Sequence, residues 1–280
     1  MNIEDITLSF SSLKQFSKSP AHFVGYKNKV FKQSAPMRRG WLTHLLTLEP
    51  EKAKDLTILD VSTRANKKYK EAVAENDKGE EGVFTAKEVI DAKILSNAVM
   101  QHPLASKLIN EAIVVEKHLK WSMPTGFNNE KPVKFHGFAD IIGQDYIADL
   151  KVTDNEPKKM QRWVLDNLYH MQIALYKKAV WNGNAYMYSH ITEGLDIKKK
   201  AFKCYPKCYL ITVDPNSPHG VVVYQLSDEM VKEGLKIAEL EINLFAQWFE
   251  AWDGDDKNVK SYDCYEDDEA MILDLPSWYK

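Results

Sequence analysis

The chain has 280 residues, 44% of them hydrophobic and 28% charged, ordinary proportions for a soluble globular protein with ample core. No apolar run approaches the roughly 20 residues of a membrane helix, and the first residues lack the basic-then-apolar pattern of a secretory signal. Three cysteines (Cys204, Cys208 and Cys264) suit a reducing cytoplasm better than a disulfide scaffold, so a cytoplasmic protein is expected. The net charge of −3 is unevenly spread: residues 253–269 hold eight acids and two lysines, which leaves the remainder at +3. Basic clusters at Lys27/Lys29/Lys32/Arg38/Arg39, Lys67/Lys68/Lys70, Lys158/Lys159/Arg162 and Lys198/Lys199/Lys200/Lys203 have the charge to follow a phosphate backbone, or to form solvated helix faces.

In chain order, residues 8–19 predict a short helix opened by Ser9 or Ser11 and stopped at Ser19-Pro20. Residues 37–48 predict a helix through Leu42, Leu45, Leu46 and Leu48, with His44 inside it and Pro50 as its stop. The lysine-rich stretch 62–79 is a helix or a loop. Helical periodicity returns over 85–100 (Val89, Ile90, Ile94, Val99), and 103–111 add a further turn or two. The period then changes, and three consecutive strands are expected at 113–121, 133–142 and 146–153. A long amphipathic helix follows over 158–181, then two strands at 209–213 and 221–226 around a Pro215/Pro218/Gly220 turn. Ser227 caps a final helix to about 252, with Val231, Leu235, Ala238, Ile242, Phe245 and Phe249 on its inward stripe. With no internal repeat or low-complexity linker, one α/β domain over 1–252 is the simpler organisation, its helical part at 1–111, its sheet and helices at 112–252, and an acidic tail at 253–280.

The stretch that carries chemistry is 137–151. Two apolar runs join at Gly143-Gln144-Asp145, the composition of a hairpin turn. Asp149 and Lys151 are two apart and share a strand face, and a modest register places Asp140 beside Asp149. Charges on an apolar hairpin are costly unless something holds them, and a divalent cation gripped by the carboxylates would do so. Asp/Glu-x-Lys alone says little: five such triplets occur, about the number chance supplies. Asp149-x-Lys151 stands apart because its strand is apolar and another acid faces it across the turn. Cys204-x3-Cys208 lacks the four soft ligands of a zinc or iron–sulfur site, and structural thiols are expected.

Taken in order, Arg39-Gly40-x3-His44, Glu116, Gly137-x2-Asp140, Asp149-x-Lys151 and Gln172-x3-Tyr176 resemble the PD-(D/E)xK nucleases, and within them the RecB-like branch, with its upstream His and downstream Gln-x3-Tyr. The opening Leu8-Ser9-x-Ser11-x-Leu13-Lys14-x-Phe16-x2-Ser19-Pro20-Ala21-His22-Phe23 is similar to that of the exodeoxyribonuclease VIII (RecE) nuclease domain and its phage relatives. Ala139 stands in place of the proline of the family's name. The match runs from about residue 8 to 181.

The resemblance implies a restriction-endonuclease-like core, a mixed central β-sheet flanked by helices. It implies Mg²⁺, or Mn²⁺ given a histidine ligand, as two ions. Asp140 and Asp149 would hold metal with the Leu150 carbonyl a third ligand, Glu116 would join directly or through water, and His44 would reach in from its helix. Lys151 would orient or deprotonate the attacking water, and Gln172 and Tyr176, i and i+4, would face the site from the next helix. Arg38, Arg39 and Arg64 are candidates for gripping a 5′-phosphate of the DNA, since the arginine fork suits phosphate. The function implied is a 5′→3′ exonuclease on linear double-stranded DNA ends, working in recombination beside a single-strand annealing protein, as a homo-oligomer away from membranes. The alternatives are a RecB-like nuclease of other polarity, helicase- or CRISPR-associated, or a non-catalytic DNA-binding protein. The iron–sulfur CRISPR type fits poorly, because no cysteine precedes Cys204.

Overall fold

A computed structural model describes residues 6–29, 32–126, 132–180 and 206–259. Cys204, Cys264, the Lys198–Lys203 cluster and the tail beyond 259 lie outside the described residues. Strand β1 (Thr7–Leu8) leads into α1 (Phe10–Phe16), where Ser9 and Ser12 cap each other's backbone reciprocally. Pro20 both ends the approach and opens a second helix, α2 (Pro20–Asn28), capped by Ser19; the sequence suggests only the stop, because proline is as favourable at a helix's first turn as it is hostile inside one. Helix α3 (Ala35–Leu48) carries His44. Then come β2 (Thr57–Leu59), α4 (Lys67–Glu75), β3 (Val83–Thr85), α5 (Ala86–Gln101), which opens on a Thr85/Glu88 capping box, and α6 (Pro103–Asn110). Strands β2 and β3 pair in parallel as a small separate sheet.

The main sheet is mixed. It contains β4 (Val114–Met123), β5 (Val133–Ile142), β6 (Tyr146–Val152), β7 (Lys207–Val213) and β8 (Val221–Leu226). Antiparallel pairs β4–β5, β5–β6 and β7–β8 combine with parallel pairs β1–β5 and β6–β7. Its central strand, β6, is buried over residues 146–150, which is why it reads as an almost unbroken apolar run.

The expected helix over 158–181 is two helices, α7 (Met160–Asp166) and α8 (Tyr169–Val180), with Leu168 between them at φ +56°. Helix α9 (Asp228–Ala251), capped by Ser227, packs along α8. Gly234 permits that approach: a Cβ there would sit 2.3 Å from the His170 carbonyl oxygen. Apolar side chains of α1, α2, α8 and α9 close over the start of β5, and those of α3, α5 and α6 close the other face over β6 and β7. No helix among the described residues is long and apolar enough to cross a membrane.

Candidate active site

The site forms where β5 and β6 part. The β5–β6 ladder holds only Ile141↔Ala148 and Ile142↔Ile147. The next pair in that register is Asp140 and Asp149, and there the strands separate. The rest of that edge of β5 pairs with β1, at Lys134 and Phe135. In the gap, the Leu150 N–H donates to Asp140 Oδ2 at 2.7 Å, in place of a backbone carbonyl.

Glu116 lies opposite Asp140 on β4, and the β4–β5 ladder skips that pair. Its φ of +47° is a left-handed conformation that glutamate rarely adopts. The consequence is visible in the packing. Leu119 and Ala139 face the α8 side of the sheet, and so do Val114 and Ile142, although unbroken alternation would place Val114 opposite Leu119. The strained residue resets the alternation at the acids, a cost of order 1–3 kcal/mol that the surrounding sheet carries.

His44 bridges the gap from α3. Its Nε2 lies 2.6 Å from the Leu150 carbonyl oxygen, and its Nδ1 lies 3.4 Å from Glu116 Oε1 and 3.5 Å from Asp140 Oδ2. With Nε2 as donor, the Nδ1 lone pair faces two carboxylates. One ligand atom from each of His44, Glu116 and Asp140 falls within 4.8 Å of the others, and such a convergence calls for a proton or a cation. Burial alone would lower the His44 pKa, but Asp140 and Glu116 outweigh it and the pKa rises.

Asp149 is 4% exposed, and its Oδ1 is buried without a hydrogen-bond partner. Burial and then Asp140 push its carboxyl up to about 6. Its Oδ2 meets the Lys151 ammonium in a close ion pair. Burial disfavours that ammonium, yet Asp149 and Asp140 hold it charged, its pKa above the ordinary lysine value. An orphaned buried oxygen on Asp149, a carboxyl raised there by burial and by Asp140, and a histidine nitrogen beside two carboxylates fit a hard divalent cation with a nitrogen ligand.

Gln172 and Tyr176 share a face of α8, with Gln172 Nε2 donating to Tyr176 Oη at 3.4 Å. The Tyr176 ring lies against β5 at Gly137, where a Cβ would come 2.7 Å from its Cε1. Burial raises the Tyr176 hydroxyl to about 12, so it stays protonated as a donor.

A scan against family models matches residues 9–268 to the family described as "PDDEXK-like domain of unknown function (DUF3799)". The chain belongs to that family. Comparison with curated proteins gives no match. Among solved structures, a "Putative exonuclease" from Eubacterium rectale resembles this PDDEXK-like domain with a TM-score of 0.56 at 14% identity, covering 96% of this chain and 91% of that one. At that identity the likeness speaks for the fold alone, and it is the family model that marks the domain as PDDEXK-like. A second structure, SSO0001, aligns over 84% of this chain and 85% of its own at 13% identity, with a TM-score of 0.30.

Within the domain, the structure brings together His44, Glu116, Asp140, Asp149, Leu150 and Lys151, with Gln172 and Tyr176 beside them. The arginines do not join them. Arg38 is 1% exposed. Its Nε donates to Glu88 Oε1 at 2.8 Å, Nη1 to the Glu80 carbonyl at 2.7 Å, and Nη2 to the Val83 carbonyl at 2.7 Å and to Tyr69 Oη at 3.2 Å. Its guanidinium also lies 4.1 Å over the Phe84 ring. Arg38 therefore ties α3 to β3 and α5 and is not the phosphate grip expected of it. Arg64 Nη1 donates to Glu80 Oε1 at 3.1 Å on the surface. Arg39 is half-buried, its Nε buried without a hydrogen-bond partner, about 140° around α3 from His44.

Sequence reasoning missed Lys14 and Tyr169. The Tyr169 ring takes Lys151 Nζ at 5.1 Å and Lys14 Nζ at 5.5 Å from its centre, and Lys14 Nζ also donates to Asn167 Oδ1 at 3.2 Å. Burial, then Lys18 and Lys151, lower the Lys14 pKa. Lys14 stands within the N-terminal motif, but only the turn at Leu168 brings Tyr169 between the two lysines.

Proposed function

We propose that this PDDEXK-like domain is a divalent-cation-dependent deoxyribonuclease, with a 5′→3′ exonuclease on linear double-stranded DNA ends as its specific form. The observation that carries the reading is the convergence of His44, Glu116, Asp140, Asp149 and Lys151 where β5 and β6 part. His44, Glu116, Asp140 and Asp149 would hold the cation, with the Leu150 carbonyl as a further oxygen. A nitrogen among oxygens admits Mn²⁺ as well as Mg²⁺, and four side chains suffice for two ions. When bound, the cation supplies charge neutralisation and Lewis acidity at the phosphate.

Hydrolysis joins a water oxygen to phosphorus as the bond to the leaving oxygen breaks, and negative charge grows on the phosphoryl oxygens. Lys151 is aimed at that charge: Asp149 fixes its ammonium from one side and the Tyr169 ring from another, so it orients water or stabilises the phosphoryl oxygens without rearrangement. Tyr176, protonated, donates toward the same region. Polarity, a role in recombination beside an annealing protein, a ring-like homo-oligomer and a cytoplasmic setting follow from the resemblance to the exodeoxyribonuclease VIII type.

End-labelled linear duplex incubated with Mg²⁺, and then with EDTA, tests the reading. Nucleotides should be released with Mg²⁺ only, faster from 5′-phosphate ends and not from closed circles. Cleavage that survives EDTA or Asp149→Ala would overturn it.

A further inference from the structure

The β4–β5 arm packs one face against α8, and among the described residues its other face is exposed. Trp121 meets the Tyr176 ring edge-on and stacks with Phe135 on the covered side. The exposed side carries His118 and Lys120 on β4, and Lys134, His136 and Phe138 on β5. In the ladder His118 sits across from Phe138 and Lys120 across from His136. Phe138 is 51% exposed, a large apolar ring on open sheet. The His118 ring lies flat against it, centres 4.6 Å apart and planes 14° from parallel, and His136 meets His118 edge-on at 5.7 Å.

Two features decide what covers this face. It runs into the acid cluster: Glu116 is two residues from His118 and Asp140 two from Phe138, roughly 6.8 Å along each strand, the reach of one nucleotide. It is also flanked by Lys120 and Lys134, cations beside exposed rings, the combination that tracks a single strand through its bases and phosphates.

We propose that Phe138, supported by His118 and His136, is a stacking platform for an unpaired base of the strand being cut, next to the scissile phosphate. Paired bases inside a duplex have no free ring face, so the platform selects a strand end that is already unpaired, or one frayed on entry. The proposal rests on the nuclease reading for the position of the scissile phosphate. Stacking itself needs no cleavage.

The test is fluorescence-anisotropy binding of labelled oligo(dT) with Ca²⁺ replacing Mg²⁺, using the full chain. Phe138→Ala should weaken binding about tenfold, as loss of one stacked base does, while Phe138→Trp stays near wild type. A single abasic nucleotide scanned along the oligonucleotide should cost the wild type about tenfold at one or two positions near the cut, and cost Phe138→Ala nothing there. Unchanged binding by Phe138→Ala would overturn the platform, as would an abasic cost that persists in the variant. So would a switch of oligomeric state with Phe138→Ala in sedimentation, which would mean that a second copy covers this face. If the abasic signature appears but Mg²⁺-dependent cleavage does not, the nuclease reading falls and the platform stands. Cleavage without the signature gives the reverse.

Discussion

Replacing Arg38 by methionine separates a structural arginine from a DNA-gripping one. The guanidinium donates four hydrogen bonds, to Glu88 on α5, Val83 on β3, Tyr69 on α4 and Glu80 just before β3. Methionine fills much of the volume, but it leaves two carbonyls and the Glu88 carboxylate without this partner. Removing one member of a buried pair costs about 3–5 kcal/mol; Glu88 keeps 23% exposure and its Thr85 hydrogen bonds, so a figure of about 3 kcal/mol is expected. With a urea slope of about 3 kcal/mol per molar, the unfolding midpoint of Arg38→Met should fall by about 1 M. The slope of log K against log salt for DNA binding should not change, whereas losing a phosphate contact lowers it by about one. An unchanged midpoint with a salt slope reduced by one would refute this account of Arg38.

Other outcomes follow from the same contacts. Burial would raise the Glu88 pKa, but Arg38 and Thr85 outweigh it and hold it below its usual 4.5. A depressed folded pKa adds stability that is complete above the unfolded value and is lost as pH falls through the folded one, so the gap in urea midpoint between wild type and Arg38→Met should narrow below about pH 4.5. Gly137→Ala should drive Tyr176 off β5 and cost about 1–3 kcal/mol by overpacking, with thermal unfolding as the measure; Tyr176→Leu in the same chain should restore stability without restoring cleavage. Lys14→Met should leave the melting temperature unchanged and lower the cleavage rate about ten- to a hundredfold, and an equal rate would remove Lys14 from the site.

Much of this was legible in the sequence because local signals and tertiary demands agree. The predicted arms of the 137–151 hairpin match the observed strands, and continuing the observed register sets Asp140 opposite Asp149. Ser227 caps the last helix as expected, since the hydroxyl-to-backbone bond is local. What was hidden depends on the third dimension. Nothing in Pro20 announces that it opens a helix as well as ending a segment. The break at Leu168 lies inside a stretch of continuous helical periodicity, and the left-handed Glu116 inside one of strand character. Arg38 and Arg39 are neighbours of identical chemistry, and only the fold sends one into the core. The small β2–β3 sheet comes from segments too short to show a period.

The central claim is that the acids at the β5–β6 divergence grip a divalent cation beside Lys151. Anomalous diffraction from crystals soaked in Mn²⁺ tests it directly. The account predicts a manganese peak enclosed by His44, Glu116, Asp140 and Asp149, absent from Asp140→Asn crystals soaked in the same way. A wild-type map with no peak among those side chains, at a Mn²⁺ concentration that supports cleavage, would contradict it.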